Sequence, residues 1–502
     1  MLAVVGLGSC GGSGSGSQSN FLPAPSTASP SPTPFPSPQL NGVLKLSADS
    51  FTNTQSQHAT EVEPSAASFG ATIVTAFQIG RIFSGGGAAI GFATSSDGGI
   101  TWTNGVLPGV TVFQGGTYSA ASDAAVAYDA AHQIWLVSCL GVGNHNQVLV
   151  SRAPDGIHWG NAITVSTSAD SDKNWITCDN TPSSPFFGHC YTEWDDPSNR
   201  GIIWMATSTD GGLTWTPSQN TANIGAGVGG QPLVRPDGTV IVPIGDTGLA
   251  AVQVFSSHDG GATWTAPVTI AQIPDHIVAG GLRAGALVSA AMDAQGIVYV
   301  VWQDCRFRTN CASNDVVMST SSDGVTWSTP ARIPIDGVAS TADHFIPVIA
   351  ADSGFGGATA KLAIIYYFYP VSACSTDCAL TVGLVSSRDG GSSWTAPTTL
   401  VGPMSLAWLP NTFSGSMVGD YFGATYSSGR LLTFFTIALP NMGTLLDEAI
   451  YASQASASAA ASVARFDSRF ERALPGAKSD HPARRFYDLE NRYERLPRPK
   501  SP

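Results

Sequence analysis

Charge is used sparingly in this chain of 502 residues, 12% of positions against 43% hydrophobic, so the places where charged residues recur carry information. One set stands just before apolar runs of strand character: Glu63, Asp123, Asp172-Lys173, Gln231, Arg283, Asp343-His344 and Asp420-Tyr421. A second set ends such runs: Gln78 to Arg81, Trp194-Asp195-Asp196, and Trp302 to Arg306 with Asp304 inside it. If the runs line one opening, both sets converge on it. Carboxyls such as Asp195, Asp304 and Asp343 would then suit a general acid/base pair. Arg81, Arg283, Arg306, Lys173, Asp343 and His344 would hold a polar or anionic ligand. The plainer account has each polar residue solvating a channel mouth, with Arg306 paired to Asp304.

What must position these residues is a repeat. The pattern S-x-D-G-G-x-T-W runs from Ser95 to Trp102, Ser208 to Trp215, Ser257 to Trp264 and Ser387 to Trp394, with Ser393 in place of Thr. Ser321 to Trp327 is one residue short, and Ser151 to Trp159 keeps Asp155-Gly156 and the Trp. Ser and Asp side chains bond the turn backbone, Gly supplies positive φ, and the Trp pins the hairpin to its sheet. The tryptophans at 102, 159, 215, 264, 327 and 394 are 49 to 67 residues apart. Each interval holds two alternating apolar runs, a gap and a third run entering the turn, the signature of a four-stranded antiparallel meander.

This pattern resembles the Asp-box, or bacterial neuraminidase repeat, of sialidase-type β-propellers. The resemblance implies an all-β propeller of four-stranded blades, which protects its sheet edges by radial stacking. An A-B pair follows Trp394 (Tyr421 to Tyr426, Leu431 to Ile437), then a C strand near Glu448 to Ser453, while Val43 to Ala48 reads as an orphan D strand. Pairing the two ends closes seven blades; six, as in known sialidases of this type, is the alternative. The Asp-box aspartates serve their own turns.

Sialidases grip a sialic-acid carboxylate with three arginines, attack with a Tyr activated by a Glu, and use an Asp as acid/base. Carried onto this chain, the clamp would be Arg81, Arg283 and Arg306, with Tyr421, Asp420 and Glu63 near the chemistry. The early F/Y-R-I-P motif of that family is absent, since Arg81-Ile82-Phe83 lacks the Pro, and glutamates of the ring are only Glu61, Glu63, Glu193 and Glu448. Three readings therefore stand: a sialidase-like exo-glycosidase, another glycosidase or lyase on the same scaffold, and a non-catalytic propeller that binds glycan or protein.

Composition points outside the cytoplasm. Six of the eight cysteines form close pairs, Cys178 with Cys190, Cys305 with Cys311 and Cys374 with Cys378, and local disulfides are the natural reading. Ligand spacing for a metal is absent, no cofactor is called for, and no EF-hand-like loop supports structural Ca²⁺. Net charge is −13 although the last 42 residues carry ten Lys or Arg against six Asp or Glu, so nucleic acid is not an expected partner. Residues 1–10 read as a short signal segment whose Leu7-Gly8-Ser9-Cys10 looks like a lipobox, with Cys10 the lipidation site and the sole membrane attachment. Residues 11–40 read as a Gly/Ser/Pro-rich tether, 41–453 as the propeller, and 454–502 as a disordered charged tail. A monomer, secreted or anchored at the cell envelope, is expected, with a glycan or glycoconjugate as partner.

Overall fold

The computed structural model describes residues 35–166, 170–454 and 464–465. Cys10 and nearly all of the 454–502 segment lie outside these; Ala464–Arg465 pairs antiparallel with Ser393–Trp394. Among the described residues, helix is confined to six short 3-10 turns, and no helix is long and apolar enough to cross a membrane. The architecture is a β-propeller of small antiparallel blades.

Four blades are sequential meanders. They start with Asp172–Cys178, Leu233–Val234, Ser289–Met292 and Asp343–Ala351, and each adds three further strands outward. A fifth is made from both ends of the chain. Val43–Lys45 pairs with Glu448–Gln454, which pairs with Arg430–Ala438 and then Gly423–Ser427. Asn411–Thr412 pairs separately with Gly415–Ser416, and the strands from Glu61–Phe69 through Ile163–Thr164 form one continuous sheet of eight.

That sheet corrects the expected count. Five four-stranded blades stand separately, not seven or six, because two meanders are joined where Gly87 pairs with Ala121. Glycine permits the join. A Cβ on Gly86, at φ +66°, would sit 2.9 Å from the Ala121 carbonyl, so a side chain there would push the strands apart.

The first strands of successive meanders pack side by side, and Gly423–Ser427 returns to Glu61–Phe69. Side chains stitch neighbours together: Val126 N–H donates to Ser65 Oγ, Ala290 N–H to Gln231, and Ile349 N–H to Ser289 Oγ, at 3.2, 2.9 and 3.3 Å. Such bonds satisfy buried backbone groups that no ladder reaches.

The repeat turns hold their form by the expected bonds. Ser95 Oγ accepts from Gly99 N–H at 2.8 Å, and Asp97 accepts from the Thr101 N–H at 2.9 Å and hydroxyl at 2.6 Å. Ser208, Ser257 and Ser387 accept from Gly212, Gly261 and Gly391 in the same way. In the degenerate copy His158 replaces Thr and meets Asp155 at 2.6 Å. The tryptophans wedge between units: Trp102 lies edge-on to Phe434, and Trp264 packs against Tyr191 and Phe255. All three cysteine pairs are disulfides, and Cys139 is a buried thiol.

Candidate functional site

The innermost strands share a device that sequence does not show. In four of them the ladder slips by an extra residue near the strand entry, between Val62 and Ser65, Ser122 and Ala125, Asp172 and Trp175, and Phe345 and Val348. Each bulge holds a residue at positive φ: Glu63 at 57°, Asp123 at 49°, Lys173 at 50° and Ile346 at 48°. None is glycine, and such a conformation costs on the order of 1–3 kcal/mol each. What sustains it is visible. The turned-out Lys173 N–H donates to Asp123 at 2.9 Å, the Ile346 N–H to Gln303 at 3.1 Å, and the Asp420 N–H to Glu63 at 3.0 Å.

Three charged bulge residues are thereby brought to one place. Lys173 Nζ lies 2.6 Å from Asp420, and Arg283 grips the same carboxylate with both prongs of its fork, Nε at 2.7 Å and Nη2. Glu63 accepts from Gln78, and Gln78 also reaches Ser122, which donates to Asp123 at 2.9 Å. Arg81 donates to Gln78 at 3.0 Å and to the Gly86 carbonyl at 3.2 Å. Glu63, Arg81, Asp123, Lys173, Arg283 and Asp420 are all buried.

Burial sets the protonation of this cluster. Burial alone would raise the Asp420 carboxyl, but the Arg283 guanidinium and the Lys173 ammonium hold it well below the usual range. Burial, with Asp420 as a like charge beside it, pushes Glu63 up to about 7. The Tyr421 phenol is raised well above its ordinary value by burial and by Glu63. Its hydroxyl donates to the Ala124 carbonyl at 3.2 Å, and its ring meets Trp175 edge-on. Neither Glu63 oxygen accepts from that hydroxyl.

The other sequence candidates are placed elsewhere. Arg306 closes on Asp304, its Nε 2.9 Å from both carboxylate oxygens, which is the plainer account given above. Asp195 is buried on the second strand of its blade and accepts from Gly229 N–H at 3.4 Å. Asp343 accepts from Asn314 N–H at 2.7 Å, and burial pushes it up to about 7. His344 contacts the Asn314 carbonyl, and burial lowers its pKa. In that blade the inward position belongs to Ile346 instead, because the slip comes later in the strand. Asp315, Asp336 and His344 are close enough to share a cation, but Arg308 pairs with Asp315 at 2.5 Å and Asp336 at 2.7 Å, and Arg332 with Asp315 at 2.9 Å and also with Asp336, so two guanidinium groups already bridge the carboxylates.

Above the buried cluster lies a cleft of about 870 Å³, within the range that takes small ligands. Loops between second and third strands, and between successive meanders, form it. Its walls include Gln55, Ser84, Phe113, Asn144, His145 and Asp170. Gly85, Val142 and Asn146 line both this cleft and a cavity of about 20 Å³ below it, bounded by Glu63, Arg81, Asp123, Asp172, Lys173 and Arg283. That lower cavity has room for about one water. Sequence reasoning missed the cleft walls. The signal was there in Gly141-Val142-Gly143-Asn144-His145-Asn146, a loop of turn formers and amides after an apolar strand.

Fold and site together define a disulfide-bonded β-propeller with a polar cleft over a buried charge cluster. No family model matches the chain, and no curated protein matches it. Among solved structures it is similar to the Hadza microbial sialidase Hz136, at 17% identity over 68% of this chain and 66% of that one, with a TM-score of 0.43. It therefore spans slightly under two thirds of that protein. The leech intramolecular trans-sialidase gives 15% identity, 80% and 68% coverage and a TM-score of 0.39. AofleA from Arthrobotrys oligospora gives 12%, 69% and 87%, and 0.41. At this level nothing about ligand or activity passes from these proteins to this chain.

Proposed function

We propose that this chain is a glycan-recognition propeller of the cell exterior, with its ligand seated in the cleft walled by Phe113, Asn144, His145 and Asp170. The observation that carries the reading is the occupancy of the cationic groups. Arg283 and Lys173 share the Asp420 carboxylate, Arg306 is closed on Asp304, and Arg81 bonds Gln78 and Gly86, which supports a reading in which these arginines serve the fold rather than a substrate carboxylate. The opening that remains is bordered by amides, hydroxyls, His145, Asp170 and the Phe113 ring, hydrogen-bonding groups and an apolar face that suit a saccharide. Three disulfides agree with an extracytoplasmic site, and anchoring through Cys10 remains part of the proposal.

Hydrolysis is a second reading, favoured by one observation: Glu63, pushed up to about 7 by burial, shares the lower cavity with Asp123 and Asp172, which puts carboxyls together as general acid/base chemistry requires. The test is turnover of fluorogenic glycosides, sialic-acid and neutral, by the full chain and by Glu63→Gln. No turnover by either, with glycan retained on an immobilised panel, is the expected result. Turnover lost in Glu63→Gln would replace recognition by catalysis.

A further inference from the structure

The charge around the cleft goes further and names the class of sugar. We infer that the cleft selects uncharged saccharide and rejects carboxylated sugar, sialic acid included; this rests on the glycan-recognition reading above. A carboxylate is recognised by cationic donors aimed at it from a site that has kept them for the ligand. Here the cations beneath the cleft are Arg81, Lys173 and Arg283, and the carboxyls among them are Glu63, Asp123, Asp172 and Asp420. No cationic excess is left. Arg283 and Lys173 are 2% and 8% exposed at their side chains, both engaged by Asp420, and Arg81 donates to Gln78 and to the Gly86 carbonyl.

The walls repeat the bias. Among the described residues, the ionisable side chains lining the cleft are His145 and Asp170, with His145 Nδ1 3.9 Å from an Asp170 carboxylate oxygen. An arriving carboxylate thus meets a wall whose one carboxylate, Asp170, stands beside His145, and a floor whose cations are already engaged, all within a chain of net charge −13. Like charge held in a partly desolvated site is repulsive at these distances. A neutral pyranose meets no such term. Its hydroxyls face the side chains of Gln55, Ser84, Asn144 and Ser198, and its apolar face finds Phe113.

The experiment measures equilibrium binding of the full chain to two immobilised panels, oligosaccharides with neutral hexose or N-acetylhexosamine termini and the same cores capped with sialic acid. Phe113→Ala and the exposed-wall variant His145→Ala locate binding at the cleft, and circular dichroism confirms that both fold. The expected result is at least tenfold tighter binding of a neutral-terminated glycan than of its sialylated form, with loss in both variants. Equal or tighter binding of the sialylated form, lost in the same variants, overturns the inference and leaves the cleft reading intact. Neutral binding that both variants retain, or no binding to either panel, overturns the cleft reading and this inference with it.

Discussion

Asp420 is the residue on which the buried cluster depends. Two cations reach it, from a strand entry at Lys173 and from the loop at Arg283, and both are buried. Removing one partner of a buried ion pair leaves an uncompensated charge, at about 3–5 kcal/mol. Asp420→Asn keeps the shape and removes the charge that both cations share, so urea unfolding should show a loss of about that size. Arg306→Gln tests a pair buried on one side only. Asp304 is fully buried while the Arg306 guanidinium is partly exposed, so the change leaves a buried carboxylate without its cation and should cost more than the roughly 0–1 kcal/mol of a surface pair. A loss within that surface range would show that Asp304 does without its cation.

At the scale of elements, the blade built from both termini carries an unusual load. Glu448 opens one of its strands, 1% exposed, with no hydrogen bond to either carboxylate oxygen, and Glu61 lies close by, its Oε1 likewise without a partner. Ser47, just beyond the Val43–Lys45 strand, donates to Glu61 at 2.6 Å. Burial, opposed by the Ser47 bond, pushes Glu61 up to about 7 from 4.5. A carboxyl whose pKa is raised on folding favours the folded state fully below its unfolded value, and that contribution is lost as pH rises through the folded one. Glu61 should therefore withdraw roughly 3 kcal/mol of stability between about pH 4.5 and 7. Glu61→Gln, neutral at every pH, should gain in melting temperature over the parent as pH goes from 5 to 8. Parallel pH profiles for the two proteins would show that Glu61 stays charged in the fold.

The repeat turns make the opposite kind of prediction. Asp210 accepts from the Thr214 N–H and hydroxyl and from Leu213 N–H, so Asp210→Ala leaves a turn without its internal acceptor. A cost of about 1–2 kcal/mol, similar to loss of a helix cap, is expected in thermal unfolding. Ligand retention should not change, since the turn is no part of the cleft wall.

For the whole molecule the decisive join is Val43–Lys45 against Tyr451–Ser453. It seals the ring between residues some four hundred positions apart, so the ring's stability should depend on a strand of three residues and the Leu46 and Ser47 that follow it. A chain starting at Ala48 loses the pairing, the buried Leu46 side chain and the Ser47 bond to Glu61. Burial of the leucine alone contributes about 1.5–3 kcal/mol. The truncated chain should unfold at lower temperature, with exchange of the Glu448–Gln454 amides accelerated first. Unaltered protection there would show that the blade closes without the N-terminal strand.

How much of this was legible in the residues differs by kind of feature. The meander, the turns and the disulfides depend on neighbours in sequence, through alternation, glycine at positive φ and short cysteine spacing, and they could be read directly. So could the return of Val43 to the C-terminal strand, because an orphan strand at each end leaves one pairing that hides both edges. The strand-entry residues were found as a set, yet their roles were not. Whether Arg283 meets a ligand or Asp420 depends on two residues 137 positions apart. Whether Glu63, Asp123 and Lys173 turn inward depends on a bulge sustained by hydrogen bonds from the next blade. Local pattern specified the parts because their energetics are local. Only the closed ring decided which charges are spent on each other and which surface is left for a ligand, since that balance is struck between blades.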